Sequence, residues 1–402
     1  MDEFFAFSTI QTNFPGFASV FIAIVKCWPG FKSKRCSLFD SFRIVGLGFL
    51  VYPSNLIINI RIVMTPSKKA PLAIALSSAF SIYSGTVLAD HGSLGFGVGT
   101  ASPIITQPGV TLPSNMWATG IITQFTSFNG ASDQKLLDLK NNAVDDAHGD
   151  VHSVNTLLIP SVFAAYGVSD DLTLGIRVPY VLRSGVRSPN ADGDAVDKLG
   201  DPSGFGDVSV FSQYRFWHSA DNLNHASLTV GLKTPTGATN VRTNLGDAFE
   251  THHQPGSGSW NPSAGLSFTR VMGTFSFDTS VLYTVATKGA QGTDLGDNFG
   301  YNFALSYAFG APARNAFFAA SNNAPWTAVM ELNGEWQGYQ KTAGLKDPNS
   351  GGHTMFISPG IRYSGGKNWN TALSFGAPIL KDFNGYQTPP DYRITYRFVV
   401  AF

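Results

Sequence analysis

The residues whose types and spacing could do chemistry are four histidines and their acidic neighbours. His148 and His152 form a His-x-x-x-His pair beside Asp145, Asp146 and Asp150, and His252 and His253 are adjacent. Imidazole nitrogens and carboxylate oxygens suit a divalent transition metal. Both groups fall in stretches that read as loops, however, and loop spacing fixes no ligand geometry. The reading adopted is scattered, solvated histidines, with no metal and no cofactor. A second constellation is hydrolytic: His218 and His225 lie near Ser219 and Ser227, but nothing in their spacing pairs them. The chain has no G-x-S-x-G elbow and no H-E-x-x-H, and GFGVGT at 95–100 lacks the last glycine of a dinucleotide loop. It is read as not an enzyme, with a membrane lipid hydrolase the third functional reading.

What must position any site is legible in the composition. The 402 residues carry 27 Lys+Arg and 27 Asp+Glu, and charged residues are only 13%, about half the usual share in soluble domains. No basic excess points to nucleic acid. Aromatics at 13%, with 32 Phe, exclude a disordered chain. After residue 89 no apolar run reaches the roughly 18 residues of a transmembrane helix. Gly, Phe, Tyr, Ser, Thr and Val dominate, and that is the composition of strands and turns.

Around Met64 the chain reads MTPSKKAPLAIALSSAFSIYSGTVLADHG. Lys68 and Lys69 make a basic start, an apolar stretch follows, and Val87 and Ala89 place small residues before a cleavage point. Residues 64–89 are expected to be a signal peptide, and 1–63 an upstream extension from a mis-assigned start, with a membrane anchor the alternative. Both cysteines, Cys27 and Cys36, lie in that extension, so no disulfide framework supports the rest. Of the 27 basic and 27 acidic residues, 8 and 3 precede Asp90, leaving 19 against 24 and a net charge of −5.

From Trp117 onward, segments alternate apolar with small or polar residues, the two-residue period of a strand with two different faces. Twelve such segments span 117–128, 154–168, 172–182, 206–217, 226–235, 260–271, 273–286, 298–309, 325–337, 353–363, 369–380 and 391–402. Long gaps rich in Gly, Asp, Asn, Ser and Pro take turns with mostly short ones, and 310–324 is the poor fit. An even strand count, alternation and loop asymmetry predict an all-β, transmembrane antiparallel β-barrel of about 12 strands, with long external loops and short periplasmic turns. Closure satisfies every backbone N–H in a medium without water. A secreted sandwich would need far more charge on its outer faces.

If the apolar faces meet lipid, the opposite faces line a lumen. That makes Arg177, Asp207, Arg215, Lys233, Asp278, Glu331, Glu335, Arg362, Arg393 and Arg397 lumen-lining candidates, and charges of both signs there would tune selectivity. Twelve strands lie between a filled eight-stranded barrel and a wide channel, so both an open and a packed interior are consistent with the count. Residues 90–116 would form a lumen plug or a periplasmic tail. The chain ends on Phe402, with Val400, Phe398 and Tyr396 on the same face.

That ending resembles bacterial outer-membrane barrels, whose assembly machinery reads a C-terminal strand of this form. More narrowly, VHSVNTLLIPSVFAAYGVSDDLTLGIRVPYVLR (151–183), LGDPSGFGDVSVFSQYRF (199–216) and LTVGLKTPTG (228–237) resemble the outer-membrane "MetA-pathway of phenol degradation" family of transporters. The resemblance implies a location in the outer membrane of a Gram-negative bacterium and passage of aromatic compounds. It assigns no transport residues. The expected function is passive uptake of small, hydrophobic or aromatic solutes through a porin-like barrel. The alternative is a plugged structural or adhesion-type barrel. Expected partners are outer-membrane lipids and lipopolysaccharide, the barrel assembly machinery and a small-molecule solute.

Overall fold

A computed structural model describes residues 50–52, 55–57, 103–309, 326–365 and 368–402. The chain divides into two units, residues 1–82 and 83–402. In the first, Leu50–Tyr52 pairs antiparallel with Asn55–Ile57. The proposed signal peptide at 64–89 and the 310–324 gap lie outside the described residues, and no described helix is long and apolar enough to cross a membrane.

The second unit is a closed antiparallel barrel of twelve strands: β1 Trp117–Phe128, β2 Thr156–Ser169, β3 Leu172–Ser184, β4 Ser209–His218, β5 Asn224–Lys233, β6 Asn261–Met272, β7 Phe275–Thr284, β8 Asn298–Ala308, β9 Trp326–Gln337, β10 Gly352–Gly365, β11 Trp369–Phe383 and β12 Pro390–Ala401. Each pairs with its sequence neighbours, and β12 closes on β1 with Ala401 opposite Ala118 and Arg397 opposite Ile122. The closure extends to the last residue: Phe402 N–H donates to the Trp117 carbonyl at 3.0 Å and accepts in return at 2.8 Å.

Alternation sorts the side chains as the sequence predicts. Val162, Leu266, Leu373 and Phe375 are about half exposed on the outside, where a soluble protein would carry charge. Aromatic pairs ring the end that holds the short turns, Trp117 with Tyr166 at 4.8 Å, Phe275 with Tyr307 at 4.9 Å and Trp326 with Tyr363 at 4.7 Å. Phe125, Phe375 and Tyr392 mark the other end. An apolar belt between two aromatic girdles is the exterior of an outer-membrane barrel.

The β3–β4 seam is the weakest. Only Leu172 to Arg177 pair with Tyr214 to Ser209. Pro179 has no N–H to continue the ladder, and Tyr180–Leu182 pair instead with Ser203–Phe205 of the returning loop. Asp207 therefore lies ahead of β4, in a loop, and not on a strand as the alternation predicts.

The long loops are more ordered than their composition suggests. In 129–155 a helix, α1, spans Asp133–Asn141. The Ser132 hydroxyl caps it by accepting from the Lys135 N–H, Asp133 and Lys140 suit the two ends of its dipole, and Leu136 is fully buried. Little in the sequence signals this helix, because Leu136 is its one buried anchor in a stretch of Asp, Lys and Asn.

Candidate functional site

The barrel interior is built from the inward positions of these strands. Arg177 on β3, Asp278 on β7, Glu331 on β9, Arg362 on β10, and Arg393 and Arg397 on β12 are all buried there. Asp278 accepts from the Thr269 and Ser276 hydroxyls at 2.5 and 3.2 Å. Arg393 donates to Asn333 Oδ1 at 3.0 Å and lies over the Phe356 ring at 4.1 Å. Arg362 donates to the Thr327 hydroxyl at 3.2 Å, and Arg177 to the Ser161 hydroxyl at 2.9 Å. These hydrogen bonds offset part of the desolvation cost of the buried charges.

Residues 103–116 run along these inward groups. The Glu331 carboxylate accepts the backbone N–H groups of Ile104, Ile105 and Thr106 at 2.9–3.3 Å. Arg397 Nη1 donates to the carbonyls of Pro103 and Ile104 at 3.3 and 2.6 Å. Gln213 Nε2 donates to the Pro108 carbonyl at 2.6 Å. Gly109 donates to the Thr269 hydroxyl at 2.8 Å and accepts from Ser227 at 2.6 Å. The segment leaves at the short-turn end, where Leu112 N–H donates to Thr173 at 2.8 Å and Asn115 N–H to the Gly167 carbonyl at 2.8 Å. Leu112 packs among Ala118, Ile122, Phe163, Phe211 and Val399. A backbone with few interior partners of its own thus has its polar groups satisfied by the wall.

The remaining predicted positions lie toward the two ends. Arg215 pairs with Asp171 at 2.7 Å beside a short turn. At the long-loop end Lys233 stands 3.5 Å from Asp207, whose carboxylate also accepts from Gly237 N–H, Ser257 N–H and the Ser257 hydroxyl at 2.5–2.9 Å. Glu335 accepts from Asn298 Nδ2 at 2.5 Å. Between these groups is a cavity of about 280 Å³. Arg177, Lys233, Asp207 and Glu335 give it charge, and Leu157, Ile159, Pro179 and Leu282 give it an apolar wall. Part of the 234–260 loop, from Thr251 to Ser257, folds over it. Nothing in the sequence signals that fold-back, because it depends on Asp207 and on contacts between loops.

Of the four candidate histidines, His148 stands apart on the surface, with its Nδ1 2.7 Å from Asp145. His152, His252 and His253 converge, together with Glu250 and Asp150. Burial pushes the Glu250 carboxyl above its ordinary range, against the opposing pull of His152. The hydrolytic constellation dissolves. The His218 and His225 rings lie 6.4 Å apart, while the Ser219 hydroxyl donates to Asp221 at 2.5 Å and Ser227 to Gly109.

No curated protein matches the chain. Among solved structures, the COG4313 outer membrane channel from Pseudomonas putida F1 is similar at 16% identity over 73% of this chain and 98% of that one, with a TM-score of 0.50. The fold is the same. The CymD monoaromatic hydrocarbon channel aligns at 11% identity over 72% of this chain and 88% of that one, TM-score 0.35. LpxR from Salmonella typhimurium aligns at 12% identity over 70% and 99%, TM-score 0.34. A family profile matches residues 126–398, well over half the length and eleven of the twelve strands in full or in large part. The chain is an outer-membrane β-barrel that belongs to the "MetA-pathway of phenol degradation" family.

Proposed function

We propose that the barrel is a passive channel for small solutes, hydrophobic or aromatic ones among them, in which residues 103–116 form the constriction. The observation that carries this reading is the 280 Å³ cavity at the long-loop end, with the Glu331- and Arg397-bound segment lying elsewhere in the same barrel interior. Its wall combines apolar surface from Leu157, Ile159, Pro179 and Leu282 with the cations Arg177 and Lys233 and the carboxylates Asp207 and Glu335. A small apolar molecule bearing one polar or anionic group complements both, as binding sites generally combine apolar walls with a few placed polar groups. The family name and the name of the CymD channel support the aromatic class. Outer-membrane lipid and lipopolysaccharide surround the belt. The outward row Tyr396, Phe398, Val400 and Phe402 is assigned to recognition by the barrel assembly machinery.

Conductance of refolded residues 90–402 and 117–402 in planar bilayers tests this. Small or rare steps in the longer form that become frequent and larger in the shorter one are expected. Silence in both overturns the channel and favours a packed structural barrel.

A further inference from the structure

The cluster at the long-loop end is chemically distinct from the lumen. It consists of two donor sets that share His152, one of Asp150, His152 and Glu250 and the other of His152, His252 and His253. His252 also stands beside Glu250. Asp150 and His152 come from the 129–155 loop and the rest from the 234–260 loop. His252 Nδ1 lies 3.3 Å from Glu250 Oε2, His152 Nε2 lies 3.7 Å from Glu250 Oε1, and His152 Nε2 lies 3.8 Å from Asp150 Oδ1. The two His152 separations are too long for hydrogen bonds, which in proteins close to about 2.7–3.2 Å. They are instead close to the spacing of donors that share one ion. Ligand bonds of about 2.0–2.2 Å in a tetrahedron set neighbouring donors roughly 3.3–3.6 Å apart. A mixed set of two imidazoles and two carboxylates suits zinc-class divalent metals more than calcium, which takes oxygen ligands alone.

The surroundings orient this set. Arg183 Nη1 donates to the His252 carbonyl at 2.6 Å and lies 3.0 Å from His253 Nδ1. A guanidinium can only donate, so His253 Nδ1 is an acceptor turned to Arg183. The His253 ring packs edge-on to His152 with centroids 4.9 Å apart. With Nδ1 accepting, the proton of the neutral ring stands on Nε2, so in this tautomer His253 offers a metal no lone pair and serves as a positioning residue. The Glu250 end of the loop is fixed by its own turn, in which His253 and Gln254 N–H groups donate to the Glu250 carbonyl at 2.9 and 3.1 Å.

We propose that Asp150, His152, Glu250 and His252 form a divalent transition-metal site that clasps the 129–155 and 234–260 loops together. The site does not depend on whether the barrel conducts, since its consequence is local: the loop that folds over the cavity is tied to the loop that carries α1.

The test uses the refolded barrel without a polyhistidine tag, titrated with Zn²⁺ alone by calorimetry and with Co²⁺ for its ligand-field absorption. One saturable Zn²⁺ per chain is expected, with a Co²⁺ spectrum of tetrahedral type and slower proteolysis of the 234–260 loop when Zn²⁺ is present. His152→Ala, His252→Ala and Glu250→Gln should each weaken binding more than about tenfold, since even outer-sphere partners of metal ligands commonly cost that much. His253→Ala should weaken it less than His252→Ala, and His148→Ala should leave it unchanged. Absence of saturable Zn²⁺ binding in the unsubstituted protein overturns the proposal, and that result needs no variant to fold. Binding that survives all three ligand substitutions, or that is lost on His148→Ala, places the metal elsewhere and overturns it as well.

Discussion

Glu331 and Arg397 hold the same short peptide by its two kinds of polar group. The carboxylate takes the N–H groups of Ile104, Ile105 and Thr106, and the guanidinium donates to the carbonyls of Pro103 and Ile104. Opposite charges on β9 and β12 thus make the interior recognise a backbone, with no need for a particular side chain. Glu331→Ala strands three donors. Each unsatisfied buried group costs about 1–3 kcal/mol, and each 1.4 kcal/mol shifts a population about tenfold. The expected outcome is a large rise in open-channel events in single-channel recordings of the refolded protein, with Arg397→Gln acting in the same direction and Glu331→Gln falling between. Unchanged recordings in a folded Glu331→Ala barrel would show that the peptide is held by other contacts.

Gly109 gives a cleaner version of that experiment, because it belongs to the peptide and not to the wall. It lies so flat on β5 and β6 that a Cβ would stand 2.5 Å from the His225 carbonyl oxygen and 3.0 Å from the Thr269 nitrogen. Gly109→Val should cost the docked state about 1–3 kcal/mol of overpacking while leaving all twelve strands intact. The measurement is paired: heat-modifiable electrophoretic mobility stays as in the unsubstituted barrel, and conductance rises. A fall in barrel stability without a change in conductance would contradict the docked-segment reading.

The charged side of the outer cavity predicts ion preference. Arg177 and Lys233 both border the cavity, whereas Arg215 sits at the opposite end against Asp171. Replacing Arg177 by Gln should move the reversal potential under a salt gradient toward cations. Arg215→Gln should move it less, and at high ionic strength both effects shrink as screening shortens to a few ångströms. Equal shifts from the two variants would remove the outer cavity from the selectivity path.

Much of this architecture is legible in the sequence because a two-sided strand writes its geometry every second residue. Tyr396, Phe398 and Val400 against Arg397 and Val399 state both faces of β12 directly, and the same alternation put Glu331, Asp278 and Arg362 inside. What alternation cannot state is what an inward residue meets. Glu331 reads as a pore charge, yet its partners lie more than two hundred positions earlier in the chain. The histidines fail for the same reason: His152 and His252 are brought together by two loops, and spacing along the chain carries no record of that. Asp207 departs from its predicted strand because Pro179, on the neighbouring strand, ends the ladder it would have joined.

Orientation follows from the loops and can be checked on intact cells. The hairpin joining β2 and β3 is tight, with Ser169 opposite Leu172, and Asp170 and Asp171 are tied to Ser114 and Arg215. The 183–205 and 236–259 stretches are long, and they expose Lys198 and Arg242. With the short turns periplasmic, as in barrels of this class, a broad-specificity protease added outside the cells should cut within 183–205 or 236–259 and spare 169–171. The barrel core should survive such cuts, because its ladder is closed without those loops. A cut within 169–171 under the same conditions would invert the topology. It would also put the outer cavity and the proposed metal clasp on the periplasmic side.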